Sequence, residues 1–95
     1  MLDEADKEIL LRILSCPPDE RVAAMTQGGA GEEVRIGKTT VLEGSFYAEG
    51  LRRLLRCGYL DRVSGGGCRL SASGRRVGEE LQRSLRGGPA EPVNE

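Results

Sequence analysis

Apolar residues near the start of the chain recur at spacings of three and four: Leu2, Ala5, Ile9, Leu10, Ile13 and Leu14. Such spacing puts them on one broad stripe and predicts a helix over Leu2 to Cys16. Asp3 is its candidate N-cap, with Glu4 and Asp6 in the first turn, where the helix dipole favours acids. Cys16-Pro17-Pro18 ends it, because a residue before proline is pushed out of the helical region. A second stripe, Tyr47, Ala48, Leu51, Leu54 and Leu55, predicts a helix over Ser45 to Cys57, with Ser45 as N-cap and Gly58 as the left-handed residue beyond its end. Val77, Leu81 and Leu85, four apart, predict a last helix that starts at a Ser71 or Ser73 cap.

Between these helices the pattern changes. Tyr59 to Val63 and Cys68 to Leu70 read as two short strands joined by a glycine-rich turn over Ser64 to Gly67. Val34 and Ile36 alternate around Arg35, as in a short strand. "DERVAAM" fits one or two helical turns capped by Asp19, and Gln27 to Glu33 reads as a mobile loop. Thr39 is placed to cap a short helix over Thr40 to Glu43; a continuous β-hairpin through Gly37-Lys38 is the rival for that stretch. No internal repeat is present. The expected organisation is one domain over residues 1–86, with 17–33 as a variable loop, and a disordered tail over 87–95, where "AEPVNE" has nothing to pack.

A chain of 95 residues suits a single small domain. Aromatics make up only 3%, so the core must be aliphatic. The net charge of −1 hides a division. Residues 1–33 hold eight acids and three bases, whereas residues 34–86 hold eleven bases and five acids. A basic half points to an anionic partner. Cys16, Cys57 and Cys68 are an odd set at spacings that match neither a disulfide framework nor a C-x-x-C metal site, and the chain has no histidine. No metal or cofactor is expected. With no histidine and no convergent carboxylate pair, no catalytic residues are assigned and the chain is not expected to be an enzyme. No apolar run approaches a membrane span, so a cytoplasmic protein without membrane contact is expected. "GKTT" at Gly37 to Thr40 resembles the end of a phosphate-binding loop, but the glycine that the pattern needs is replaced by Glu32.

The stretch "FYAEGLRRLLRCGYLDRVSGGGCRLSASGRRVGEEL" resembles the back half of a winged helix-turn-helix domain of the prokaryotic transcription-regulator kind. The likeness is carried by Leu54, Leu55, Gly58, Tyr59 and Leu60, then by Leu70-Ser71-Ala72-Ser73-Gly74, with Ser71 where threonine is usual. It spans roughly Ser45 to Leu81 and is compatible with the first helix. In front of it the chain departs from the pattern: the second helix is either "TTVLEG" or "DERVAAM", within a longer, glycine-rich stretch.

The resemblance implies an α+β, mostly helical fold with a small antiparallel wing sheet. It implies binding of double-stranded DNA in transcriptional regulation, with the third helix (45–57) in the major groove and the wing (59–70) on the backbone. The implied DNA-contacting residues are Ser45, Tyr47, Arg52, Arg53 and Arg56 on the helix, and Arg62 and Arg69 on the wing. It also implies a homodimer through the terminal helices. Arginine suits this work because its planar fork meets two acceptors at once. Glu49 lies in the middle of the same face and repels phosphate. Arg75 and Arg76 sit in the first turn of the last helix, the wrong end of the dipole for a cation, and a phosphate contact would account for them. The alternative is a winged-helix protein-interaction module that binds no nucleic acid, which the acidic first helix and Glu49 favour.

Overall fold

A computed structural model describes residues 2–29 and 31–87, with side chains to Leu85. The expected tail lies outside the described residues from position 88 onward. The fold is α+β: three α-helices and a five-stranded antiparallel sheet, about half helical rather than mostly so. In chain order the elements are α1 (Glu4–Ser15), a 3-10 turn (Pro18–Glu20), β1 (Ala23–Gly28), β2 (Gly31–Ile36), β3 (Thr40–Glu43), α2 (Ser45–Arg56), β4 (Leu60–Arg62), β5 (Cys68–Leu70) and α3 (Ala72–Gly87). The strands lie side by side as β3-β2-β1-β5-β4.

The three helices fall where their apolar stripes predict them. The segment between α1 and α2 differs from expectation. Only Pro18–Glu20 of the "DERVAAM" region is helical, and Ala23 to Gly28 is a strand. The expected mobile loop is a hairpin: β1 and β2 pair along their whole length, from Ala23 opposite Ile36 to Gly28 opposite Gly31. Thr40–Glu43 is strand β3, and the β-hairpin through Gly37-Lys38 is what forms, closed by Ile36 opposite Thr40. The reason is burial. Alternation puts Ala23 and Met25, Val34 and Ile36, and Leu42 on one face of this three-stranded unit, over the helices, and leaves Arg35 and Val41 outside. A helix over Thr40–Glu43 would have taken Leu42 out of that row. Among the described residues no α-helix lies between α1 and α2, so α2 lacks the preceding partner of a helix-turn-helix pair.

Ile9, Leu10 and Ile13 of α1 and Leu51 and Leu54 of α2 meet the inner face of the sheet at Ala23, Val34, Ile36, Leu60 and Cys68. α3 packs on the other flank of α1, where Gly78 sits against Leu10 and Leu14. The helix ends are locally encoded. α2 closes in a Schellman motif: the Tyr59 N–H donates to the Leu54 carbonyl at 2.9 Å, and that of Gly58 to Leu55 at 3.2 Å, with Gly58 at φ +83°. Its N-cap is Gly44 rather than Ser45, which is the first helical residue. α3 is capped by Ser71, whose Oγ accepts the Gly74 N–H at 3.1 Å and donates to the Gly58 carbonyl at 2.6 Å. A side chain at Gly74 would collide with the Tyr59 carbonyl. The Leu-Ser-x-Ser-Gly step is therefore a joint that fastens the start of α3 to the end of α2, with the β4–β5 hairpin projecting beside it.

Candidate nucleic-acid interface

The C-terminal half of α2 and the β4–β5 hairpin stand next to each other, and Arg52, Arg56 and Arg62 line one groove between them with Leu55, Leu60 and Asp61. Register fixes the hairpin's two faces. Leu60 pairs with Leu70 and Arg62 with Cys68 toward the helices, while Asp61 and Arg69 are opposite each other on the outer face. Arg62 and Arg69 are both exposed, one on each face of the ribbon.

The helix arginines do not form the free ridge that the sequence implies. Arg53 turns back toward α1: its Nε donates to Asp6 Oδ2 at 3.1 Å and its Nη2 to Asp6 Oδ1 at 2.9 Å, with Asp3 Oδ2 at 3.2 Å. The Asp6 side chain is 2% exposed and also accepts the Asp3 N–H at 3.2 Å. Bidentate bonding to Asp6 holds the Arg53 guanidinium even more firmly protonated than usual, desolvation working against it and the Asp6, Asp3 and Glu49 charges with it. Gly50 makes room for the pair, since a Cβ there would lie 3.0 Å from Asp6 Oδ1. Arg52 is also engaged, through Nη2 to Glu32 at 2.5 Å and Nη1 to Glu49 at 3.1 Å.

The two pairs differ in kind. Arg52, Glu32 and Glu49 are 39%, 31% and 62% exposed, so their bridges are surface pairs worth about 0–1 kcal/mol each. Releasing Arg53 would strand the buried Asp6 carboxylate without a counter-charge, and the ion pair is therefore structural.

Ser45 is exposed at the start of α2. Tyr47 does not face outward; it is half-buried and packs on the core, while Phe46, edge-on to it at 5.3 Å, is the exposed ring. Arg56 is exposed and, like Arg62 and Arg69, forms no ion pair among the described residues. The same is true of Arg75 and Arg76 at the start of α3. From Gly50 to Gly78 the only acid is Asp61. The positive surface thus lies on the hairpin and at its base, not along α2.

Sequence reasoning missed the anchors Asp6 and Glu32. Asp6 was detectable: it shares the apolar stripe of Leu2, Ile9 and Ile13, where an acid demands a buried partner. Glu32 was not, because its position depends on the β1–β2 hairpin. The three cysteines are free thiols: Cys57 is exposed and Cys68 buried. Burial pushes the Cys68 thiol up, against a smaller lowering by Arg62. Among the described residues no three Cys, Asp or Glu side chains gather as metal ligands, and no helix is long and apolar enough to cross a membrane. Comparison with protein-family models, curated proteins and solved structures finds no match to the chain.

Proposed function

We propose that the protein binds duplex DNA through the β4–β5 hairpin, acting as a wing, and the adjoining end of α2, with contacts made to the phosphate backbone. The supporting observation is the set of arginines around the hairpin that form no ion pair among the described residues, Arg56, Arg62, Arg69, Arg75 and Arg76; Asp61 is the one acid from Gly50 to Gly78, and Glu79 and Glu80 follow one turn beyond Arg75 and Arg76. A narrow two-stranded ribbon with a guanidinium on each face suits a groove bounded by phosphates on both sides. α2 contributes no base reading, because Arg53 is committed to Asp6 and Glu49 sits beside Arg52.

The test is a titration of a fluorescent duplex at two salt concentrations. Arg56, Arg62 and Arg69 each neutralising one phosphate gives a slope of log affinity on log salt of about −2.7, at about −0.9 per phosphate. Arg62→Ala with Arg69→Ala should weaken binding and flatten that slope by about two phosphates' worth, whereas Arg52→Ala should change it little. Absence of binding at low salt would leave the second reading, a protein-docking module. That reading is favoured by the carboxylate-bound Arg52 and Arg53 and by Phe46, 55% exposed on the same helix. A homodimer through the terminal helices would have to be built on Leu11, Leu81 and Leu85, because Leu10 and Leu14 of α1 already meet α3.

A further inference from the structure

Below the hairpin, on the side of the Pro18–Glu20 turn, Pro18, Arg21, Arg69, Leu70 and Arg75 line a cavity of about 140 Å³. Its three arginines come from three parts of the fold, the segment leading into β1, strand β5 and the first turn of α3, and no acid lines it. Arg21 is fixed in place. Its Nε donates to the Cys16 carbonyl at 3.0 Å and its Nη2 to the Leu14 carbonyl at 3.1 Å, capping the carbonyl end of α1. Its Nη1 has no hydrogen bond among the described residues, and neither Arg69 nor Arg75 has an ion pair or side-chain hydrogen bond there. Asp61 faces Arg69 across the ribbon without bridging it, and Glu20 is taken by Lys38 at 3.8 Å.

Three arginines around one cavity with no acid in its lining repel one another, and Arg75 adds a cation at the positive end of a helix. Both costs are reversed by a bound anion. At about 140 Å³ the cavity is large enough to admit a tetrahedral oxyanion. Arginine forks match such an oxyanion's paired acceptors.

We propose that Arg21, Arg69 and Arg75 form a binding site for a phosphate group. The site does not depend on the duplex reading: the group belongs either to a nucleic-acid backbone or to a small phosphorylated molecule.

The experiment is a titration of the isotope-labelled full chain with inorganic phosphate at constant ionic strength, followed by amide chemical shifts. Saturable shifts at Arg69, Leu70 and Arg75 are expected. Arg69→Gln and Arg75→Gln should each weaken binding by about tenfold or more, the loss of charged hydrogen bonds. Arg35→Gln, on the outer face of β2, should leave it unchanged, and Arg75→Lys should restore it only in part. Shifts that rise without saturating, or a saturation curve unchanged in the Arg69→Gln, Arg75→Gln double variant, would overturn the site. A duplex without terminal phosphates then distinguishes the sources: displacement of the bound phosphate assigns the site to a nucleic-acid backbone, and persistence assigns it to a small phosphorylated ligand. Should the duplex fail to bind at all while phosphate saturates, the proposed DNA function fails and the site stands.

Discussion

Arg52 and Arg53 are adjacent in the chain and opposite in role. Exposure decides between them: Asp6, the partner of Arg53, is shut away from water, while the partners of Arg52 remain hydrated. Arg53→Met is therefore expected to lower the thermal midpoint far more than Arg52→Met, because only the first leaves a buried carboxylate unpaired. Thermal denaturation of the two variants checks the ranking; equal midpoints would show that the Asp6 pair is not structural. Thiol chemistry separates Cys57 from Cys68 in the same way. The native protein should react with a maleimide at Cys57 near neutral pH, and at Cys68 only on denaturation, as mass spectrometry of digested samples would show. The sign of the Cys68 shift adds a pH dependence. Its folded-state pKa lies above the unfolded value, so its contribution to stability is complete below the ordinary thiol range and is lost as the pH rises through the raised pKa.

At the scale of elements, the joint between α2 and α3 governs where the hairpin points. Gly74 is held against the Tyr59 carbonyl, which is backbone and cannot move aside, whereas Gly78 faces the end of the Leu14 side chain, which can. Gly74→Ala is expected to cost about 1–3 kcal/mol by overpacking, despite the roughly 1 kcal/mol that alanine contributes inside a helix. Gly78→Ala should be close to neutral, the two effects offsetting each other. Urea unfolding of both variants measures the contrast. Ser71→Ala removes the cap of α3 and should cost about 0.5–2 kcal/mol. Its further effect falls on the hairpin, because Ser71 also bonds the Gly58 carbonyl at its base. The hairpins between α1 and α2 are a different case. The first closes with Gly28 paired to Gly31 and the second turns through Gly37–Thr39; their glycines were visible as loop signals, but a glycine-rich stretch between short apolar pairs reads equally as a loop or as paired strands until a partner face exists.

For the whole molecule, charge is divided by surface more than by chain half. Asp3, Asp6 and Glu32 neutralise Arg52 and Arg53, and the arginines without an ion pair among the described residues collect around the hairpin. Duplex binding should accordingly weaken on substituting Arg62 and Arg69 and be kept on substituting Arg52. α1 has buried its apolar stripe against the sheet, α2 and α3. The strip left over, Leu11, Leu81 and Leu85, is interrupted by Glu4, Lys7 and Glu8. It is small beside the ~800 Å² per partner of a stable interface, and sedimentation at micromolar concentration is expected to show a monomer. A dimer that dissociates on Leu85→Glu would refute this.

The three helices, the Gly58 end of α2, the Ser71 cap and the β4–β5 hairpin were all legible in the chain, because periodicity, caps and turn glycines act over a few neighbouring residues. The five-stranded sheet was not. Ala23 to Gly28 has weak strand propensity and becomes a strand only because β2 and β5 flank it and the helices cover it. The fate of the arginines was also a tertiary decision. A helical wheel shows which side of α2 they occupy, but whether a guanidinium faces solvent or a carboxylate 47 residues away depends on how α1 lies across α2, and local sequence carries no such information.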